Sequence, residues 1–161
     1  MPRFVLLRHE CPKSLSKPSH WDLMFEHEGA LLTWSLNELP PEWTNVSRDA
    51  VAERSSGSLP LEGRVREGVS AGYTPSTCDA PPHTAHAAQL PNHRLAYLDY
   101  EGPVSNNRGH VTRRDSGSYD LIEFSPDRLI CTLHGRTLAA QVTLVRISHD
   151  QWTLTSHAPP T

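Results

Sequence analysis

"SYDLIEFSPDRLICTLHGRTLAAQVTLVRIS", residues 118–148, decides the fold class. Its apolar residues recur at every second position through "SYDLIEFS", "RLICTLHG" and "TLAAQVTLVRIS". That is the period of a β-strand, not of a helix. Ser125-Pro126-Asp127 and Gly135-Arg136 separate the runs and read as tight turns. Outward from this stretch, "QWTLTSHA" follows beyond His149-Asp150, and "GHVTRRD" precedes it across a turn expected at Ser116-Gly117. Near the N-terminus "RFVLLRH" leads to "HWDLMFEH" and "ALLTWSLNE", the last two flanking the turn signal Glu28-Gly29. Short strands joined by tight turns predict a mainly β chain, a compact antiparallel β-barrel with short flanking helices or loops. No long amphipathic helix is present, and one short helix is expected near residues 40–52.

At 161 residues the chain is long enough for one well-formed core, so a single domain over 1–161 is expected. Residues 53–92 break the strand rhythm with Ser, Gly, Pro and Ala and read as a long excursion from the barrel. A domain linker is disfavoured there, because the first 50 residues are too few for an independent core. A net charge of −3 excludes a general electrostatic grip on nucleic acid, but not contact with a strand end, where few phosphates are touched. No apolar run approaches the ~20 residues of a membrane span. "MPRFVLLRHE" becomes charged too early for a secretion signal, so a cytoplasmic location without membrane contact is expected. Cys11, Cys78 and Cys131 lack the spacing of a zinc ribbon or a disulfide framework. Cys131 reads as a small buried hydrophobe, while Cys11, two residues after His9, is a ligand or nucleophile only as the weaker alternative, since no known Cys–His signature surrounds it.

Two stretches concentrate chemistry. In "HWDLMFE", a strand geometry puts His20, Asp22 and Met24 on one face and Trp21, Leu23 and Phe25 on the other. The second set is core. The first pairs an imidazole with a carboxylate, and His9, ending the preceding strand, offers a third ligand. Two imidazoles and a carboxylate suit Mn²⁺, Zn²⁺ or Fe²⁺ with positions left open for substrate. The same spacing also fits polar residues on the wet face of a sheet, and this chain uses histidine freely. His27, His83, His86, His110, His134, His149 and His157 read as exposed bystanders, His83 and His86 as a ligand pair being the weaker alternative. The second stretch is "LPNHRLAYLDYEGPVSNNRGHV", residues 90–111, where His93 and Tyr97 are four apart and Glu101-Gly102-Pro103 turns the chain. By residue type alone, "RLAYLDYEG" reads as a strand with Tyr97 and Tyr100 at its edges.

Together these stretches resemble the 3′-phosphoesterase domain of bacterial DNA ligase D, and more closely its small stand-alone relatives. That family opens with a strand ending in histidine, as "RFVLLRH" ends in His9. A segment of the form His-aromatic-Asp-apolar-Arg-apolar-Glu follows, here "HWDLMFE", and then a tryptophan-bearing strand, here "LLTWSL". A later Asp-His-x-Leu-x-Tyr-x-x-Phe-Glu-Gly segment is matched by "NHRLAYLDYEG", and an Asp-x-Gly-x-Tyr element by "DSGSY".

The resemblance implies that His9, His20 and Asp22 bind a divalent metal, Mn²⁺ first and Zn²⁺ second. It further implies that His93 is a catalytic histidine contacting the reacting phosphate and that Tyr97 is an active-site tyrosine. The implied activity is hydrolysis at nucleic-acid 3′ ends, removing a terminal ribonucleoside or a 3′-phosphate, with separate DNA-repair proteins as partners. Met24 stands where the family has a phosphate-clamping arginine, and a second family arginine aligns near Ala85. Methionine cannot form the bidentate contact. Arg108 and Arg113 are the substrate-binding substitutes expected from elsewhere in the chain, with Arg8 and Arg114 as the other candidates. The departure at Met24 implies weakened activity, with phosphate removal favoured over ribonucleoside removal. It also keeps two alternatives open: a non-catalytic module that binds metal and phosphate ends in DNA repair, and a metal-dependent hydrolase of another phosphate ester.

Overall fold

The computed structural model describes residues 1–44 and 82–159. The described strands are β1 (Arg3–Glu10), β2 (His20–His27), β3 (Ala30–Leu36), β4 (His83–His93), β5 (Gly102–Pro103), β6 (His110–Ser125), β7 (Arg128–Gly135), β8 (Ala139–Arg146) and β9 (Gln151–His157). They pair in the order β1-β2-β3-β4-β9-β8-β7-β6-β5, and β1 also pairs with β6. That last pairing closes eight antiparallel strands into a barrel, with β5 laid beside the start of β6. Closure removes most of the free sheet edge. A barrel is therefore what the alternating pattern builds.

All eight barrel strands contribute to one apolar core that includes Phe4, Leu23, Phe25, Trp34, Tyr119, Cys131, Val142 and Trp152. Aromatic pairs organise it: Phe25 meets Tyr119 edge-on at 5.1 Å and Trp34 meets Trp152 edge-on at 5.4 Å. A short helix, α1 (Pro41–Thr44), sends Trp43 into this core, where its indole N–H donates to Ser156 Oγ at 3.0 Å. Pro41 begins this helix, where a missing N–H costs nothing. The remainder of the helix expected over 40–52 lies outside the described residues.

A second, smaller apolar cluster contains Val5, Leu7, Met24, Leu31, Leu98, Val104 and Val111. It occupies the opposite face of β1, β2 and β3, beneath the segment that carries Leu98 and Val104. This explains why "RFVLLRHE" is apolar on both faces. Met24 is 1% exposed inside this cluster. A methionine at this position thus packs where an arginine would have to carry its charge out from an apolar layer.

Three expectations change. Ser116-Gly117 is not a turn, because β6 runs unbroken for 16 residues through it. Gly117 instead permits close approach of β7, since a Cβ there would run into the His134 carbonyl. "LAYL" (Leu95–Leu98) forms a 3-10 helix and not a strand, closed by Tyr97 N–H to Arg94 carbonyl at 3.1 Å and Asp99 N–H to Ala96 carbonyl at 3.2 Å. The excursion expected over 53–92 lies outside the described residues up to 81, but its last part is β4. Alanine hides this strand because it has weak strand propensity. Ala85 and Ala87 face inward opposite Leu154 and Trp152, where small side chains make space for large ones.

Candidate metal and phosphate site

The site is built by strand register. β1 and β2 pair so that His9 lies directly opposite His20, and Leu7 opposite Asp22. Residues paired across strands share a face. The two imidazoles therefore meet, with ring centroids 4.7 Å apart, and Asp22 stands two residues along on the same side. Asp22 Oδ2 is 3.4 Å from His9 Nδ1, and Asp22 Oδ1 is 3.4 Å from His20 Nε2.

The far nitrogens of both rings are committed. His9 Nε2 donates to the Arg108 carbonyl at 2.9 Å, and His20 Nδ1 donates to the Pro18 carbonyl at 2.9 Å. A carbonyl can only accept, so each bond fixes the tautomer of its neutral ring. His9 Nδ1 and His20 Nε2 then carry lone pairs, and both face a carboxylate. Each imidazole thus turns an accepting nitrogen toward one oxygen of an accepting carboxylate. Asp22 is 4% exposed, and its Oδ1 has no hydrogen-bond donor. Such a cluster needs a shared proton or a cation. His9 Nδ1, His20 Nε2 and an Asp22 oxygen could together hold a divalent ion, and His9, Cys11 and His20 form a second candidate trio among the described residues.

Proton sharing sets the charge state. Burial works to raise the Asp22 carboxyl, but the His20 and His9 contacts prevail and hold it well below the usual carboxylate range. His9 is shifted upward, chiefly by its contact with Asp22 and against the effect of burial.

Loops complete the arrangement. Asn106 and Asn107 adopt left-handed backbone conformations, with φ of 63° and 55°. Val104 N–H donates to the Gly109 carbonyl at 2.8 Å, which closes the loop and presents Arg108 to His9. Gly109 lies against the Glu10 backbone, where a Cβ would collide.

The ligand cluster opens into a cavity of about 330 Å³ that is also lined by His93, Arg108, Lys17 and Cys11. His93 Nδ1 donates to the Pro91 carbonyl at 2.9 Å, which leaves its Nε2 for another partner. The Arg108 guanidinium is steadied by Ser105, through Nε to the carbonyl at 3.0 Å and Nη2 to Oγ at 3.3 Å. Tyr97 meets His93 edge-on at 5.5 Å, packs on the smaller apolar cluster and lines an adjoining cavity with Tyr100 and Val104. It supports His93 from behind.

The other predicted residues lie elsewhere. Arg113 and Arg114 line a separate cavity with Arg136, Arg8 stacks on Trp21 at 4.8 Å, and Ala85 is buried in the barrel. His83 and His86 are exposed. A larger surface cavity of about 420 Å³, beside Arg3 and Ser118, holds none of the ligand cluster.

Sequence alone assigns no role to Lys17 and makes Cys11 only a minor candidate ligand or nucleophile, yet both line this cavity. His9-x-Cys11 has the same two-residue spacing as His20-x-Asp22, which is what makes Cys11 a candidate in the sequence. One ligand atom each from His9, Cys11 and His20 lies within 4.8 Å of the others, so a thiol stands beside the imidazoles.

No protein-family model matches the chain. Among curated proteins it is similar to the multifunctional non-homologous end joining protein LigD of Mycobacterium bovis, 24% identical over 156 residues and covering 92% of this chain. The same identity and coverage hold for the multifunctional non-homologous end joining DNA repair protein LigD of two Mycobacterium tuberculosis strains. The chain is thus similar, across most of its own length, to one part of LigD, and it spans 15% of the length of that protein.

Proposed function

We propose that the protein is a divalent-metal-dependent phosphoesterase of DNA repair that removes 3′-phosphates from nucleic-acid ends. One observation carries this reading: His9 Nδ1 and His20 Nε2 each lie 3.4 Å from one oxygen of the buried Asp22 carboxylate, and all three residues line a cavity with His93 and Arg108. Similarity to a protein named for end joining and DNA repair supports the choice of substrate.

A bound divalent ion supplies Lewis-acid polarisation of a phosphate oxygen and lowers the pKa of bound water. Manganese or zinc suits this donor set. The protein's own groups do the rest. Arg108 and Lys17 neutralise phosphate charge from the cavity wall. His93 Nε2 moves a proton to or from the reacting group, while the Pro91 carbonyl fixes its tautomer. Tyr97 holds the imidazole in place. Met24, buried in the apolar layer, provides no clamp, so the grip on phosphate is weaker than a bidentate arginine gives. A phosphate monoester carries more charge than a diester and is held better by such a site, which favours phosphate removal over ribonucleoside removal.

The test combines metal content with turnover. The purified protein is expected to take up about one equivalent of Mn²⁺ or Zn²⁺ and to release inorganic phosphate from a 3′-phosphate-terminated oligonucleotide. His93→Ala is expected to lower the rate ~100-fold or more while metal uptake persists. Absence of metal uptake overturns the assignment. Metal uptake and tight end binding without phosphate release make the protein a non-catalytic end-binding module.

A further inference from the structure

Arg113, Arg114 and Arg136 line a cavity of about 240 Å³ together with Glu101 and Asp115. Both carboxylates are already engaged by backbone donors. Asp115 accepts from the N–H groups of Ser116, Arg136, Thr137 and Leu138 at 2.7–3.1 Å. Glu101 accepts from the N–H of Arg113. None of the three guanidiniums forms an ion pair among the described residues, and Arg113 Nε is buried with no acceptor. Like charges gathered at a pocket, with a buried donor unsatisfied, favour a bound anion.

The register fixes where this pocket lies. Leu7 pairs with Asp22 on one side and with Arg113 on the other. Arg113 is thus two strand spacings from a candidate metal ligand, about 10 Å, on the same face of the barrel. That span is within reach of neighbouring phosphates on one nucleic-acid strand. With a net charge of −3, the protein has no diffuse attraction for phosphates, so any grip on a strand must be local.

We propose that Arg113, Arg114 and Arg136 form a second phosphate site, which holds a single-stranded 3′ tail a few nucleotides upstream of its end. The identity of the occupant rests on the phosphoesterase reading. The basic pocket itself does not.

The test measures binding alone. Fluorescence anisotropy follows a 5′-labelled ten-nucleotide single strand bearing a 3′-phosphate, with wild type and with the Arg114→Gln/Arg136→Gln double variant. These two positions are at least partly exposed, so the fold is retained, which thermal unfolding and unchanged Mn²⁺ uptake verify. Losing two phosphate contacts is expected to flatten the slope of log K against log salt by about 1.4 and to weaken binding ~10-fold at low salt. Equal affinity and equal slope overturn the proposal, as does a wild type that fails to bind the strand. If the strand binds in this salt-dependent way but no phosphate is released, the second site stands and the phosphoesterase reading falls.

Discussion

Asp115 separates a structural role from a catalytic one within the "DSGSY" motif. Its carboxylate is 3% exposed and accepts four backbone N–H groups, three of them from the turn between β7 and β8. Asp115→Ala leaves all four without this acceptor. Arg136 and Thr137 are exposed, so their N–H groups regain water. Leu138 is buried and the bond to Ser116 is partly buried, so those two donors stay poorly solvated. At ~1.5–3 kcal/mol for each lost bond to a charged group, the two unsolvated donors set a cost of about 4 kcal/mol. Asp115→Asn keeps one accepting oxygen but turns an amide toward N–H donors, so about half that loss or more is expected. Urea unfolding measures the difference, and amide exchange at Thr137 and Leu138 locates it. Metal uptake at His9, His20 and Asp22 is expected to persist in the folded fraction, since Asp115 does not line their cavity. A loss below about 1 kcal/mol, or metal binding abolished in folded protein, refutes this account of the motif.

Other consequences can be checked independently. Asp22→Asn removes the carboxylate that faces both imidazoles, so calorimetry is expected to show Mn²⁺ or Zn²⁺ affinity reduced ~100-fold or more with circular dichroism unchanged. Met24→Arg puts a charge into the smaller apolar cluster and is expected to cost about 3 kcal/mol or more in urea unfolding, whereas Met24→Leu costs less than ~1.5 kcal/mol. Alkaline titration offers a further test. Burial pushes the Cys131 thiol from 9.0 up to about 12, and burial first, then neighbouring Cys131 and Glu26, push the Tyr119 hydroxyl from 10.0 up to about 12. Both stay protonated in the folded protein while the unfolded chain loses those protons, so stability is expected to fall as pH rises from about 9 toward 12. Cys131→Val should shift that fall toward higher pH. Cys11, by contrast, borders the open cavity, so a thiol reagent should modify it before the buried Cys131, and bound Zn²⁺ should slow the modification.

Much of this molecule follows from local chemistry. A pleated backbone turns alternate side chains to opposite faces, so the two-residue periods of "HWDLMFEH" and "RLICTLHG" determine a barrel of short strands. The same rule placed His20 and Asp22 on one side of β2. Turn residues are equally local: Glu28 and Gly29 both take positive φ, 48° and 82°, in the hairpin expected at that pair. Tertiary structure alone decided the rest, because register and burial depend on what lies across a strand and above it. Only pairing puts His9 opposite His20, and only the loop ending at Gly109 delivers the carbonyl that fixes the His9 tautomer. Met24 shares a face with Asp22 yet lies in apolar packing, because the segment bearing Leu98 and Val104 covers it. β4 was hidden because its inward alanines acquire their purpose from Trp152 and Leu154 on β9, more than sixty residues further along the chain. Arg108 and Arg113 look alike in sequence, but the fold sends them to different cavities.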